Sequence, residues 1–133
     1  MENVFDILSG RGFIEQSTDE HALRRQLSQP AACYVGFDPT ASTLHVGHLL
    51  PIMALMHMQK AGHRVIALVG GGTGMIGDPS GKTKMREILT REQIEGNVRA
   101  IKVQLARYLD FGEDRALPVN NAVWLCRLGS IDF

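Results

Sequence analysis

Apolar positions change their period several times along the chain, and each change marks an element. Asn3 to Gly10 reads as a short helix. Ser17-Thr18-Asp19-Glu20 carries the Ser-x-x-Glu spacing of a capping box and predicts a second helix that ends near Gln29-Pro30. Cys33-Tyr34-Val35-Gly36-Phe37 is short, β-branched and aromatic, and Asp38-Pro39-Thr40 closes it with turn chemistry, so a first strand is expected. From Gly47 to Ala61 the apolar residues Leu49, Leu50, Ile52, Met53, Leu55 and Met56 cover most of a helix circumference, with Gly62 in the C′ place; a largely buried helix follows. Val65 to Val69 is too short an apolar run for a helix and predicts a strand covered on both faces, parallel to the first. A glycine-rich loop from Gly70 to Gly81 comes next. Thr90-x-x-Gln93 then caps a long helix whose apolar positions Ile94, Val98, Ile101, Leu105 and Tyr108 form one packed face. Asn120 to Leu125 is expected to be a third strand.

Strand, helix, strand, loop, helix, strand is the unit of an α/β fold with a doubly wound, Rossmann-like parallel sheet, in which ligands bind beyond the carboxyl ends of the strands. The chain is expected to divide into a helical segment, 1–30, and a βαβ half, 31–133, where such a fold would bind its ligand. No internal repeat or low-complexity segment is present.

Composition narrows the function. At 133 residues, 44% hydrophobic and 21% charged, the chain is one domain's worth of sequence and far from the composition of disorder. Fourteen Lys+Arg balance fourteen Asp+Glu, so no global field draws it to nucleic acid or anionic membrane; any polyanion contact must come from local sites, and a dedicated DNA-binding domain is not expected. Cys33 and Cys126 make neither a disulfide framework nor a zinc pattern, which fits a reducing, cytoplasmic compartment. The first residues lack the charged and apolar regions of a signal peptide, and the most apolar stretch, Leu49 to Met58, is interrupted by Pro51 and His57 and shorter than a membrane span.

Three motifs carry candidate chemistry. Gly72-Thr73-Gly74-Met75-Ile76-Gly77 has the G-x-G-x-x-G spacing of a dinucleotide site directly after a strand and suggests an NAD(P)-dependent oxidoreductase. Asp78-Pro79-Ser80-Gly81 favours a turn where that fingerprint needs a helix, and Glu95 stands in mid-helix rather than at a strand end. Gly77 to Thr83 imitates a P-loop one residue short, with Lys82, Lys84 and Arg86 adding positive charge. His45-Val46-Gly47-His48 lacks a third metal ligand, so no metal site is expected; it caps a strand-to-helix crossover, where imidazole N–H groups and a helix N-terminus can meet a phosphate.

Tyr34 to His48, ending in His-Val-Gly-His, resembles the first active-site segment of bacterial tyrosyl-tRNA synthetases, which carry the class I His-Ile-Gly-His motif there. Val69 to Lys82 and Asn120-Asn121-Ala122-Val123-Trp124 resemble two further blocks of that family, and the similarity runs over essentially the whole chain. The resemblance implies ATP-dependent activation of L-tyrosine to tyrosyl-adenylate and transfer of the tyrosyl group to tRNA(Tyr). It places Tyr34 at the bottom of the amino-acid pocket, Asp78 on the substrate ammonium with Asp38 near it, and Gly36 and Gly47 where the nucleotide approaches the backbone. It assigns Thr40 and His45 to the γ-phosphate, His48 to the nucleotide side of ATP, and Lys82 and Arg86 to pyrophosphate, with Mg²⁺ accompanying ATP and a homodimer for the full-length protein.

The sequence departs from that family at Val35, where some relatives carry Cys, and at Pro51, which cannot donate a side-chain hydrogen bond to the nucleotide. The family continues past the position of Phe133 into the second half of the nucleotide fold, the Lys-Met-Ser-Lys-Ser loop and the tRNA-anticodon domain. The resemblance therefore implies a fragment holding half an active site, expected to be inactive alone or to retain only weak nucleotide or tyrosine binding.

Overall fold

The computed structural model describes residues 2–76, 89–112 and 115–128. α1 (Val4–Gly10) begins where the Asn3 side-chain oxygen accepts from the Phe5 N–H at 2.9 Å. α2 (Glu20–Gln26) is capped by Asp19, whose carboxylate accepts from the Ala22 N–H at 2.9 Å. The expected Ser17 box is thus corrected. Asp19 stands next to the first helical residue, and its charge also suits the positive end of the helix. α2 stops at Gln26, three residues short of Gln29. Arg24 ties the two helices together: it pairs with Asp6 and Glu20, lies over the Phe5 ring at 4.4 Å, and its carbonyl accepts from Asn3 Nδ2.

β1 (Ala32–Phe37), β2 (Arg64–Val69) and β3 (Ala116–Asn120) form a parallel sheet in the order β1-β2-β3, with Tyr34 opposite Ile66 and Val69 opposite both Phe37 and Asn120. β3 lies upstream of the expected third strand and holds Pro118, a residue that argues against a central strand. The ladder shows why proline is tolerated. Val65 N–H donates to Arg115 O, and Asn121 N–H donates to Val69 O, so the odd-numbered residues carry the bonding to β2. The N–H that Pro118 lacks would face away from β2. Asn120 Oδ1 accepts from the Ala122 N–H at 3.0 Å and turns the chain into α6 (Ala122–Leu125), which replaces the predicted strand.

α3 (Val46–Lys60) and α5 (Arg91–Leu105) pack on one face of the sheet; the one-turn α4 (Thr73–Ile76) follows β2. Ile52, Leu55 and Met58 from α3 and Ile94, Val98, Ile101 and Leu105 from α5 enclose Val65, Ala67 and Val69. Each of these Val, Leu, Ile and Met side chains contributes roughly 1.5–3 kcal/mol by burial. α3 is less buried than its composition predicts: Val46, Leu50 and Met53 are exposed, at 84%, 59% and 38%. Its end follows expectation, with Gly62 at φ +88°, Gly62 N–H donating to Gln59 O and His63 N–H to Met58 O, the paired bonds of a Schellman stop.

Thr90 and Gln93 form the predicted reciprocal cap of α5. Beyond Leu105 the chain tightens, Arg107 and Tyr108 bonding three residues back, so Leu109 enters the core and Tyr108 is exposed, against expectation. β2 is not sealed on both sides either. Val65, Ala67 and Val69 are buried, whereas Ile66 and Leu68 are half-buried and stand on the face that also carries Tyr34 and Gly36. A parallel βαβ unit with its helices on one face is the first half of a doubly wound fold. No described helix is long and apolar enough to cross a membrane.

Candidate active site

Strand alternation places Tyr34 and Gly36 on the sheet face opposite the core, with Asp38 next along the chain beyond the strand end. Tyr34 is 69% exposed, so its phenol is open to a ligand. A Cβ on Gly36 would meet nothing within 4 Å, which leaves the backbone open to close approach there. Asp38 sits at the junction of β1 with the glycine segment: its Oδ1 would be 3.4 Å from a Cβ on Gly70, whose N–H donates to Phe37 O at 2.9 Å. Thr40 is exposed on the following loop.

His45 and His48 lock each other at the start of α3. His45 is the N-cap and its Nδ1 accepts from the Gly47 N–H at 3.0 Å; the His45 N–H donates to His48 Nδ1 at 3.1 Å. Both acceptor roles fall on Nδ1, which puts the proton of each neutral ring on Nε2 and leaves that N–H to serve a ligand. The ring centroids are 3.8 Å apart. Burial first, and then the adjacent His45, hold His48 below its ordinary value near 6.5 against the opposing pull of Asp38. The lowered value favours the neutral form of His48, so its Nε2–H is a neutral donor at the positive end of a fifteen-residue helix, a setting that suits phosphate. A Cβ on Gly47 would lie 2.8 Å from His45 Cε1, so this glycine makes room for the imidazole rather than only for a nucleotide.

The glycine segment has a different role from the one its spacing suggests. A turn of helix, α4, does begin inside Gly72-Thr73-Gly74-Met75-Ile76-Gly77, contrary to the expected plain loop. Yet several N–H groups of the segment from Gly70 onward are already used: Gly70 N–H donates to Phe37 O, Gly71 to Val69 O, Gly72 to Asn121 Oδ1 at 2.7 Å and Gly74 to Gly70 O. A Cβ at Gly71 would strike the Asn120 side chain, and Cβ atoms at Gly72 and Gly74 would crowd the Ala122 backbone and Pro39. The glycines let this segment pack against β3, α6 and the β1 loop, which removes the support for a dinucleotide site.

Gly36, Asp38, Thr40, His45, Gly47 and His48 thus lie at or just beyond the carboxyl end of β1, with Tyr34 three residues before that end on the open sheet face. Asp78, Lys82 and Arg86 lie outside the described residues. Three polar residues given no role in the sequence reading hold the site's frame. Buried Asn121 bridges Gly72 N–H and Thr73 Oγ1, and Asn97 and Gln104 of α5 reach the loop after β1. Asn97 and Gln104, seven residues apart beside an apolar seam, were a readable signal. Among the described residues, no group of three or more His, Cys, Asp or Glu stands together to hold a metal ion.

A three-stranded parallel sheet with its crossover helices on one face defines an α/β domain of the doubly wound type. The sequence profile of the class I tRNA synthetases (W and Y) matches residues 26–133. The chain is 59% identical over its full length to a tyrosine–tRNA ligase of Syntrophus aciditrophicus and 59% identical to one of Clostridium botulinum, covering 31% and 33% of those proteins. A C-terminally truncated mitochondrial tyrosyl-tRNA synthetase of Aspergillus nidulans superposes with a TM-score of 0.80 at 28% identity, over 99% of this chain and 41% of that one. A tyrosyl-tRNA synthetase of Archaeoglobus fulgidus, complexed with L-tyrosine, gives 0.66 at 26% identity, over 95% and 37%. This chain belongs to the class I tRNA synthetase family (W and Y). It spans about a third of the length of the curated relatives it matches.

Proposed function

We propose that the protein carrying this chain activates L-tyrosine with ATP and passes the tyrosyl group to tRNA(Tyr), and that this chain supplies one wall of the activation site. The observation that carries the proposal is the reciprocal His45–His48 cap beside the Tyr34–Gly36–Asp38 line at the end of β1. In the reaction a tyrosine carboxylate oxygen bonds to the α-phosphorus while its bond to the bridging oxygen breaks, and pyrophosphate leaves with the electron pair. No proton need move, so the residues act by position and charge. Thr40 and His45 would meet the γ-phosphate, His48 the nucleotide side, and Lys82 and Arg86 the pyrophosphate, while Gly36 and Gly47 admit the backbone-side approach. Tyr34 would hydrogen-bond the substrate hydroxyl, with Asp78 and Asp38 serving its ammonium end. Mg²⁺ fits as a partner of the ATP phosphates, since it usually keeps several waters and takes few protein ligands.

A homodimer and a cytoplasmic setting complete the proposal; the free thiols of Cys33 and Cys126 agree with the latter. The 133-residue polypeptide expressed alone is expected to give no exchange, because a doubly wound site lies between two halves. The test is amino-acid-dependent ATP–pyrophosphate exchange by the full-length protein. Tyrosine should support it, and phenylalanine and tryptophan should not; exchange driven by tryptophan would overturn the assignment.

A further inference from the structure

The loop between β1 and α3 carries Thr40 and ends on His45, yet residues 39–44 belong to no helix or strand. Among the described residues, three hydrogen bonds tie its backbone to the rest of the protein, and each is made with a side chain of α5. Asn97 Nδ2 donates to Pro39 O at 2.9 Å, Gln104 Nε2 donates to Ser42 O at 2.8 Å, and the Leu44 N–H donates to Gln104 Oε1 at 3.0 Å. Gln104 Nε2 also reaches Ala100 O at 3.1 Å, one turn back on its own helix, which fixes the amide's orientation. A planar amide held this way reads one carbonyl and one N–H of the loop together, two residues apart.

The two clamps lie on one side of α5, seven residues apart, and grip opposite ends of the loop. Between them sits Thr40, and directly after Leu44 comes the N-cap His45. Pro39 and Leu44 add apolar anchorage, Pro39 buried and Leu44 packed against the core. Those contacts resist lateral movement but leave the rotation of the loop's peptide groups to the amides. α5 itself is pinned to β2 through Ile94, Val98, Ile101 and Leu105, so it provides a rigid base.

We propose that Gln104, seconded by Asn97, is a positioning residue for the phosphate-handling loop, setting Thr40 and His45 for the transition state without touching substrate. This rests on the ligase activity proposed above. The test is pyrophosphate-exchange kinetics on the full-length enzyme with Gln104→Met, close in size but without either amide bond, and Asn97→Ser as a milder second variant. Active-site titration, thermal unfolding and hydrogen exchange of the Leu44 amide accompany it. Gln104→Met should lower kcat per active site by ~10- to 100-fold, the scale expected for a small misplacement of catalytic groups. The tyrosine KM should stay within about twofold, since the lost interaction is not ground-state binding. Leu44 N–H should exchange faster at an unfolding temperature close to wild type, and Asn97→Ser should shift kcat in the same direction by less.

Unchanged kcat per active site in both variants overturns the assignment, as does a loss of activity that tracks only a lowered unfolding temperature. A wild-type enzyme without tyrosine-dependent exchange overturns the ligase activity and this role together, a different result from an active wild type with unaffected variants.

Discussion

Tyr34 and Gly47 show how far single residues can be interpreted before their surroundings are known. Tyr34 stands in a strand pattern with either face open to it, and only the register with Ile66 puts its phenol on the exposed side. A pocket that hydrogen-bonds a substrate hydroxyl leaves its own polar group unpaired with an analogue lacking it, a selection for which tyrosine ligases are a standing example. Tyr34→Phe should therefore reduce discrimination of tyrosine against phenylalanine in exchange assays; an unchanged ratio would place the phenol outside the pocket. Gly47 fitted a nucleotide approach by resemblance, but the His45 ring lies over it. Gly47→Ala should displace that imidazole and lower kcat by up to ~10²-fold, as small misplacements do. Stability should change little, because the helix propensity gained by alanine over glycine, up to ~1 kcal/mol, is offset by losing the His45 cap bond to the residue 47 N–H, worth about 1 kcal/mol. Steady-state kinetics paired with denaturant unfolding separate the two effects.

At the scale of elements, what was legible depended on whether local chemistry or tertiary packing made the decision. Thr90 and Gln93 announced α5 because a capping box is a local event. Pro118 hid β3 because its tolerance depends on which side of the strand faces β2, and the phase shift after Leu105 could not be seen in a spacing that continued to Tyr108. Asn121 gave no periodic signal at all, yet its Oδ1 takes the buried Gly72 N–H. Asn121→Ala should destabilise the protein by ~1–3 kcal/mol, the cost of leaving such a donor unpaired; Asn121→Asp, which keeps an acceptor, should lose less on urea unfolding.

Histidines add a pH dependence at the same scale. His63 is buried, its Nδ1 accepts from the Ala31 N–H ahead of β1, and burial lowers it from its ordinary value near 6.5; burial likewise lowers His48 and His57. The unfolded chain binds more protons than the folded one between the folded value and 6.5. The stability they contribute is therefore full above that value and declines as pH falls through the folded one. The urea midpoint should drop as pH falls below the ordinary histidine value near 6.5, and His63→Asn, which retains an acceptor but does not titrate, should flatten the drop.

For the molecule as a whole, element order and the parallel sheet were legible because the switch between periods of two and 3.6 survives truncation of context. Coverage was not. The apolar count of α3 predicted burial on most sides, and β2 was expected to be sealed on both faces. Burial instead follows one stripe and one sheet face, leaving Leu50, Met53 and the Tyr34 side open. That asymmetry is what a half of a doubly wound fold must show, and it agrees with a chain spanning about a third of its relatives. The most direct measurement is exchange kinetics of a chimaera in which these 133 residues replace the matching third of the Syntrophus aciditrophicus ligase, with and without His45→Ala. The chimaera should exchange at roughly 1 s⁻¹ or faster with tyrosine. His45→Ala should lower kcat by ~10²–10³, the loss of one transition-state donor, at nearly unchanged KM for tyrosine and ATP. A folded chimaera without tyrosine-dependent exchange, or a His45→Ala variant with raised ATP KM and unchanged kcat, would contradict the account.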